Sequence, residues 1–151
     1  MKLNEYKRKR EFDKTGEPKG EEIRGKSKKL IYVIQRHMAS HLHWNLRLEE
    51  DGVLKSWAVP KEPPTAKGTK RLAIQVEDHP LAYAKFEGVI PEGNYGAGTV
   101  KIWDNGTYES EKQTHKEIEG IFHGKKLDGK YVLIKSHFGS KPEKSWLFFK
   151  V

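Results

Sequence analysis

Two imidazoles, an amide and a guanidinium fall within one short stretch, Gln35–Glu49, at His37, His43, Asn45 and Arg47. From Leu42 to Leu48 apolar and polar residues alternate strictly, which is the side-chain period of a β-strand. Leu42, Trp44, Leu46 and Leu48 share the face that can fill a core, and His41, His43, Asn45 and Arg47 share the other. A turn at Met38–Ser40 would fold His37 back onto the His43 face. Two ring nitrogens and one side-chain oxygen would then form a donor set for a divalent ion, with Arg47 one step further on to hold an anion. The plainer reading stays open at this point. Histidines on a strand face are often only solvated polar residues, and a neutral amide ligates less well than a carboxylate.

Other chemistry-bearing residues lie downstream. His79 precedes Pro80, which must turn the chain, so its ring sits at a strand end where side chains reach clefts. It is suited to clamping a phosphate or protonating a leaving group, or to a simple loop-capping hydrogen bond. Tyr83 follows, as a donor to an anion or as a core-edge tyrosine. Gly93, Gly96 and Gly98 form a G-x-x-G-x-G run. No strand-then-helix setting surrounds it, so tight turning within a small barrel accounts for it better than a phosphate cradle.

The chain of 151 residues suffices for one domain with a real core. It contains no cysteine, which excludes disulfides, a thiolate zinc site and a cysteine nucleophile. No apolar run approaches a bilayer span and no apolar leader opens the sequence, so the expectation is a cytoplasmic prokaryotic protein, monomeric and without a membrane partner. The formal charge of +8 and a pI near 9.5 favour a polyanionic partner, although very soluble proteins share that balance.

The elements that would position these residues are short strands. Residues 1–29 are polar and densely charged, with a basic run Lys7–Arg10, and are expected to be a flexible basic N-terminal arm. The domain proper is expected over 30–151. Leu30–Arg36 is β-branched and aromatic; the His-bearing strand pairs with Val53–Val59 through the two-residue turn Asp51–Gly52. Pro60, Pro63 and Pro64 break the sheet. Arg71–Glu77 alternates again, with Leu72, Ile74 and Val76 on one side and Arg71, Ala73, Gln75 and Glu77 on the other. Residues 87–98 read as a loop. Asp104–Asn105–Gly106 carries a strong hairpin signal between Thr99–Trp103 and Thr107–Ser110. Lys112–Phe122 reads as a short helix or irregular link, and Tyr131–Ser136 and Trp146–Val151 as the last strands. The expected fold is mainly β: a small closed or nearly closed barrel of roughly seven to nine strands with short helical segments.

These residues also carry a family resemblance. Arg10-Glu11-Phe12 with Thr15 and Glu17-Pro18, His37 with Ala39-Ser40, His43 through Glu49, Ser56 through Lys61, Glu77-Asp78-His79-Pro80-Leu81 with Tyr83, Phe86-Glu87-Gly88, Ile90 through Gly93, Tyr95 through Gly98 and Trp146-Leu147 follow in order along essentially the whole chain. In them the chain resembles the phosphoesterase domain of bacterial DNA ligase D and its stand-alone archaeal and bacterial homologues. The resemblance implies a manganese-dependent 3′-phosphoesterase, with Zn²⁺, Co²⁺ or another divalent ion as alternatives. It would remove a terminal ribonucleoside from a primer strand and then the 3′-phosphate left behind. Metal ligands carry over to His37, His43 and Asn45. Catalytic and phosphate-contacting positions carry over to Arg47, His79 and Tyr83, an arm set to Arg10, Glu11 and Glu17, and supporting substrate positions to Lys61, Arg71 and Glu77. The implied partners are a primer-template with a 3′-ribonucleotide or 3′-phosphate end, and a separate ligase, polymerase and end-binding protein.

Two positions depart from the family's pattern. Asn45 stands where the third ligand is usually Asp, which implies weaker metal binding; Glu11 stands where Asp is common, which lengthens the reach of the carboxylate. Two competing readings follow from the same residues: a non-catalytic basic β-barrel that binds nucleic acid through lysines and exposed aromatics, and a metal-dependent hydrolase of small phosphate esters. His41 falls on no ligand position, and His115, His123 and His137 match no motif.

Overall fold

Alternating side chains produce nine strands in the computed structural model, which describes residues 29–137, 139 and 141–151. They are β1 (Leu30–Met38), β2 (Leu42–Glu50), β3 (Val53–Val59), β4 (Lys70–Pro80), β5 (Gly88–Ile90), β6 (Gly98–Gln113), β7 (Glu117–Gly124), β8 (Asp128–Lys135) and β9 (Ser145–Lys150). Eight of them close in the order β1-β2-β3-β4-β9-β8-β7-β6, with β6 pairing back onto β1. The result is a closed antiparallel barrel, as expected. β5 pairs with the start of β6 alone. The helical segments are two 3₁₀ turns, Leu81–Lys85 and Pro142–Lys144.

The interior is built around Phe122. Its ring centroid lies 4.8 Å from Tyr32, 5.3 Å from Tyr108, 5.4 Å from Tyr131 and 6.3 Å from Phe148. Trp44, Leu46 and Leu48 of β2, Trp57 and Val59 of β3, and Leu133 and Trp146 complete the cluster. Each such side chain contributes about 1.5–3 kcal/mol by leaving water. Because the alternate residues of β2 are committed inward, His43, Asn45 and Arg47 must emerge on the barrel's outer wall. That wall is capped by the Leu81–Lys85 turn, whose Tyr83 joins Leu54 in a second apolar cluster with Ile31 and Phe86 at its edge.

The Asp51–Gly52 turn forms as expected, with both residues at positive φ and Glu50 paired with Val53. Asp104–Asn105–Gly106 does not make a hairpin. It lies inside β6, a continuous strand of 16 residues. The Asp104 carboxylate is consumed elsewhere: it accepts the Tyr32 hydroxyl at 2.7 Å and the backbone N–H of Leu127 at 2.9 Å, and those of Lys125 and Lys126 at 3.2 Å. Gly106 faces Gly124 of β7, and a Cβ on Gly124 would overlap the Tyr32 hydroxyl. The glycine therefore serves close strand contact instead of a turn.

Lys112–Phe122 is likewise not a helix or link; it ends β6 and supplies most of β7. Ile118 and Phe122 point into the core. Between them Gly120 leaves space that the Tyr108 ring fills, since a Cβ there would lie 3.0 Å from the ring. That gap hides the period-two pattern. The 87–98 loop contains the short β5. On β4 the inward residue is Ala73, which belongs to the core, while Val76 forms part of the outer wall.

Candidate active site

The β1–β2 register sets His37 directly opposite His43 and Gln35 opposite Asn45. The two imidazoles have centroids 4.8 Å apart, with their planes inclined by 56°. His37 Nε2 lies 2.7 Å from the Gly96 carbonyl and His43 Nδ1 lies 3.1 Å from the His41 carbonyl. A carbonyl only accepts, so each of these nitrogens carries the proton and donates it. In the neutral rings the lone pairs then sit on His37 Nδ1 and His43 Nε2. Burial, followed by the nearby Arg47 and His41 charges, holds His43 below the ordinary 6.5 despite the opposing backbone hydrogen bond. His43 is thus an unprotonated donor at neutral pH. The His41 side chain is exposed; its backbone carbonyl is what orients its neighbour.

The Gly96 carbonyl reaches His37 because the loop presses against the end of β1. Gly98 has φ +140°, and a Cβ there would lie 2.9 Å from the Ala39 Cα and would also meet the Met38 carbonyl oxygen. Glycine is required at that crossing.

Arg47 is 3% exposed. Its Nε donates to Gln35 Oε1 at 2.7 Å and its Nη1 to Ser56 Oγ at 2.8 Å. The guanidinium carbon sits 4.8 Å from the centre of the Tyr83 ring. Gln35 in turn donates through Nε2 to the carbonyls of Tyr83 at 2.8 Å and Phe86 at 3.1 Å. One fully buried amide therefore ties the guanidinium to the cap over the site. Burying a charge this deeply is costly unless its donors are satisfied, and here a fixed fork results. Gln35 and Ser56 were not singled out by sequence reasoning. A glutamine after the apolar run Leu30–Ile34 was the available signal for the first, and the second stood only within the Ser56–Lys61 stretch of the family resemblance, without a role.

His79 Nδ1 donates to the Glu77 carbonyl at 3.0 Å, and the His79 ring packs edge-on against Tyr83 with centroids 4.8 Å apart. His37, His43, Asn45, Arg47, Glu77, His79 and Tyr83 all line one cleft of about 290 Å³, with Tyr95 at its rim. Seven sequence-nominated residues are thus brought together. Lys61 is exposed beyond β3 and Arg71 donates to the Glu62 carbonyl at 2.8 Å; neither lines this cleft. Arg10, Glu11 and Glu17, and the arm assigned to residues 1–29 apart from Lys29, lie outside the described residues.

Among the described residues no three His, Cys, Asp or Glu side chains gather around one point. Among the described residues, the Asn45 amide supplies a side-chain oxygen in the cleft that the two imidazoles line. Two imidazoles oriented by backbone carbonyls, with an amide in the same cleft, fit a divalent transition ion by donor chemistry.

Comparison with known proteins settles the family. Residues 35–135 match the model of the DNA ligase D 3′-phosphoesterase domain. The chain belongs to that family. Over 98% of its length it is 47% identical to the multifunctional non-homologous end joining protein LigD of Pseudomonas aeruginosa, and over 97% it is 45% identical to that of Mycolicibacterium smegmatis. The Mycobacterium tuberculosis multifunctional non-homologous end joining DNA repair protein LigD is 46% identical over 90% of the chain. The match spans 18%, 20% and 18% of those three relatives, so this chain corresponds to about a fifth of each. Among the described residues, no helix is long and apolar enough to cross a membrane.

Proposed function

We propose that this phosphoesterase-family barrel heals DNA 3′ ends, removing a 3′-terminal ribonucleoside from a primer strand and then the 3′-phosphate, to leave a 3′-hydroxyl. The observation that carries the reading is the clamped Arg47 guanidinium in the same cleft as the facing imidazoles of His37 and His43. An ester of phosphoric acid needs both its negative oxygens neutralised and its leaving oxygen protonated.

His37, His43 and Asn45 would hold Mn²⁺, or Zn²⁺ or Co²⁺, which when bound would act as a Lewis acid on the phosphate oxygens. The remaining work falls to the chain's own groups. Arg47, prevented from rotating by Gln35 and Ser56, binds the non-bridging oxygens as a preformed fork, so little ordering cost is left for the transition state. In the first reaction water adds to phosphorus and the bond to the terminal nucleoside's 5′-oxygen breaks. In the second the bond to the primer's 3′-oxygen breaks and inorganic phosphate leaves. His79, acting as an imidazolium whose Nδ1–H is held by the Glu77 carbonyl, delivers its Nε2 proton to the departing oxygen, and the Tyr83 hydroxyl donates to the phosphate. Glu77, which lines the cleft, is proposed as a supporting substrate position besides supplying that carbonyl. Arg10, Glu11 and Glu17 are proposed to complete the site, and Lys61 and Arg71 to hold substrate away from the cleft. A cytoplasmic setting in a prokaryote, action as a monomer, and partnership with a ligase, a polymerase and an end-binding protein belong to the same proposal.

Incubation with Mn²⁺ and a primer-template ending in a ribonucleotide, then with one ending in 3′-phosphate, tests it. Shortened and dephosphorylated ends, lost in His43→Ala, are expected. Salt-sensitive binding without turnover would replace this reading with a non-catalytic binding barrel. Turnover of a small ester but of neither primer would limit the protein to small substrates.

A further inference from the structure

The cleft is the middle of a longer trough. On one side it shares Val76, Glu77 and Tyr95 with a groove of about 270 Å³ that also carries Lys141 and Lys144. On the other it shares Ala39, Ile90 and Gly96 with a recess of about 660 Å³ walled by Met38 and Val89. The two arms differ in charge. The first has two exposed lysines, Lys141 just before the Pro142–Lys144 turn and Lys144 at its end; the second has no cation among its described lining residues and contains Glu92. The exposed apolar surface is distributed to match. Met38 (47%), Val89 (69%) and Tyr95 (47%) are three of the five large hydrophobic residues left exposed among those described, and all three border the trough.

A strand processed at its 3′ end is a polyanion on one side of the scissile phosphate only. Beyond that phosphate lies at most a single nucleoside, which has a base and a sugar but no further charge. Cations are therefore useful on the 5′ side and apolar surface on the 3′ side. From this match we infer that the primer strand runs over Tyr95 and the Lys141–Lys144 turn, with the terminal nucleoside resting in the Met38–Val89 recess. Tyr95 offers a ring face for the last retained base, and the two lysines meet backbone phosphates. The inference rests on the 3′-end reading above and adds to it a direction of binding and the residues that set it.

The experiment compares wild type, Lys141→Glu/Lys144→Glu and Lys141→Arg/Lys144→Arg on a long ribonucleotide-ended primer and on a dinucleotide that lacks any upstream strand. Charge reversal is expected to raise KM for the long primer about tenfold with kcat unchanged. The slope of log KM against log salt should become shallower by about 1.5, the counterion share of two phosphates. The dinucleotide should be hydrolysed as before, and the arginine pair should behave as wild type. Val89→Glu tests the other arm. It should lower kcat/KM about tenfold on the ribonucleotide-ended primer and leave the 3′-phosphate primer unaffected, because that substrate has nothing in the recess.

An unchanged KM and salt slope in the charge-reversed protein would overturn the strand path while leaving the proposed reaction intact. Equal losses on both primers in Val89→Glu would overturn the direction. A wild-type protein that turns over neither primer removes the proposed function, and the strand path with it.

Discussion

Gln35 and Arg47 meet across the β1–β2 ladder through a 2.7 Å hydrogen bond, and the same glutamine amide reaches the carbonyls of Tyr83 and Phe86. This side chain ties the barrel wall to its cap by hydrogen bonds, beside the packing of Tyr83 on Leu54. Gln35→Ala would leave a buried guanidinium short of an acceptor and two carbonyls short of a donor. The expected cost is about 1–3 kcal/mol of stability together with about a hundredfold loss in kcat, as the guanidinium loses its fixed plane. Gln35→Glu keeps the acceptor for Arg47 but sets a carboxylate oxygen against the two carbonyls, so it should retain more of kcat than Gln35→Ala without restoring the stability. Urea denaturation and steady-state kinetics on both variants check this. A Gln35→Ala protein with normal kcat would show that the clamp is not needed for turnover.

Asn45 supplies an amide in the cleft that His37 and His43 share. Asn45→Asp adds a negative charge next to the ion and should tighten Mn²⁺ binding about tenfold or more. Electron paramagnetic resonance of free Mn²⁺ during titration measures it without reference to activity. Equal affinity in the two proteins would place the ion elsewhere.

The pH dependence of stability in chelator-treated protein follows from groups at two ends of the scale. Burial depresses His43 below 6.5, so below that pH the unfolded ring binds a proton before the folded one and stability falls as pH drops. Burial raises Tyr131 from 10.0 to about 12, and raises Tyr32 and Tyr108 in the same direction. Above about pH 10 the unfolded tyrosines lose protons first and stability falls again. The folding free energy should therefore form a plateau between these limits. His43→Gln should flatten the acid side while leaving the alkaline side unchanged in a denaturation series across pH.

Gly124 packs beneath the Tyr32 hydroxyl where β7 crosses β6. Gly124→Ala should cost about 2 kcal/mol or more by overpacking, and Tyr32→Phe in the same chain should recover part of that loss. Thermal unfolding of the two single variants and the double variant gives the coupling. Additive losses would mean that the two groups do not compete for the same space.

The order of residues was enough for the barrel class and for much of the site, because both rest on period-two alternation. Once Trp44, Leu46 and Leu48 are claimed by a core, His43, Asn45 and Arg47 have only the other face to occupy. The short link at Met38–Ser40 brings His37 opposite them. Signals that depend on long-range partners were misleading. Asp104–Asn105–Gly106 has the composition of a tight turn, yet its carboxylate is taken by Tyr32 and by the backbone at Lys125–Leu127. Gly120 concealed a strand because the room it leaves belongs to Tyr108, a ring on the neighbouring strand.

Closure of the chain in space was needed for the rest. Which glutamine and serine hold Arg47, and which carbonyls orient each imidazole, depend on pairings between strands and on the loop that Gly98 lets press against β1. The trough that joins Tyr95 and Lys141 to Met38 and Val89 draws on segments widely separated along the chain. Local periodicity is a property of a few neighbouring residues and can be read along the chain. A charge's environment is the sum of distant groups brought close, and it exists only once the barrel has closed.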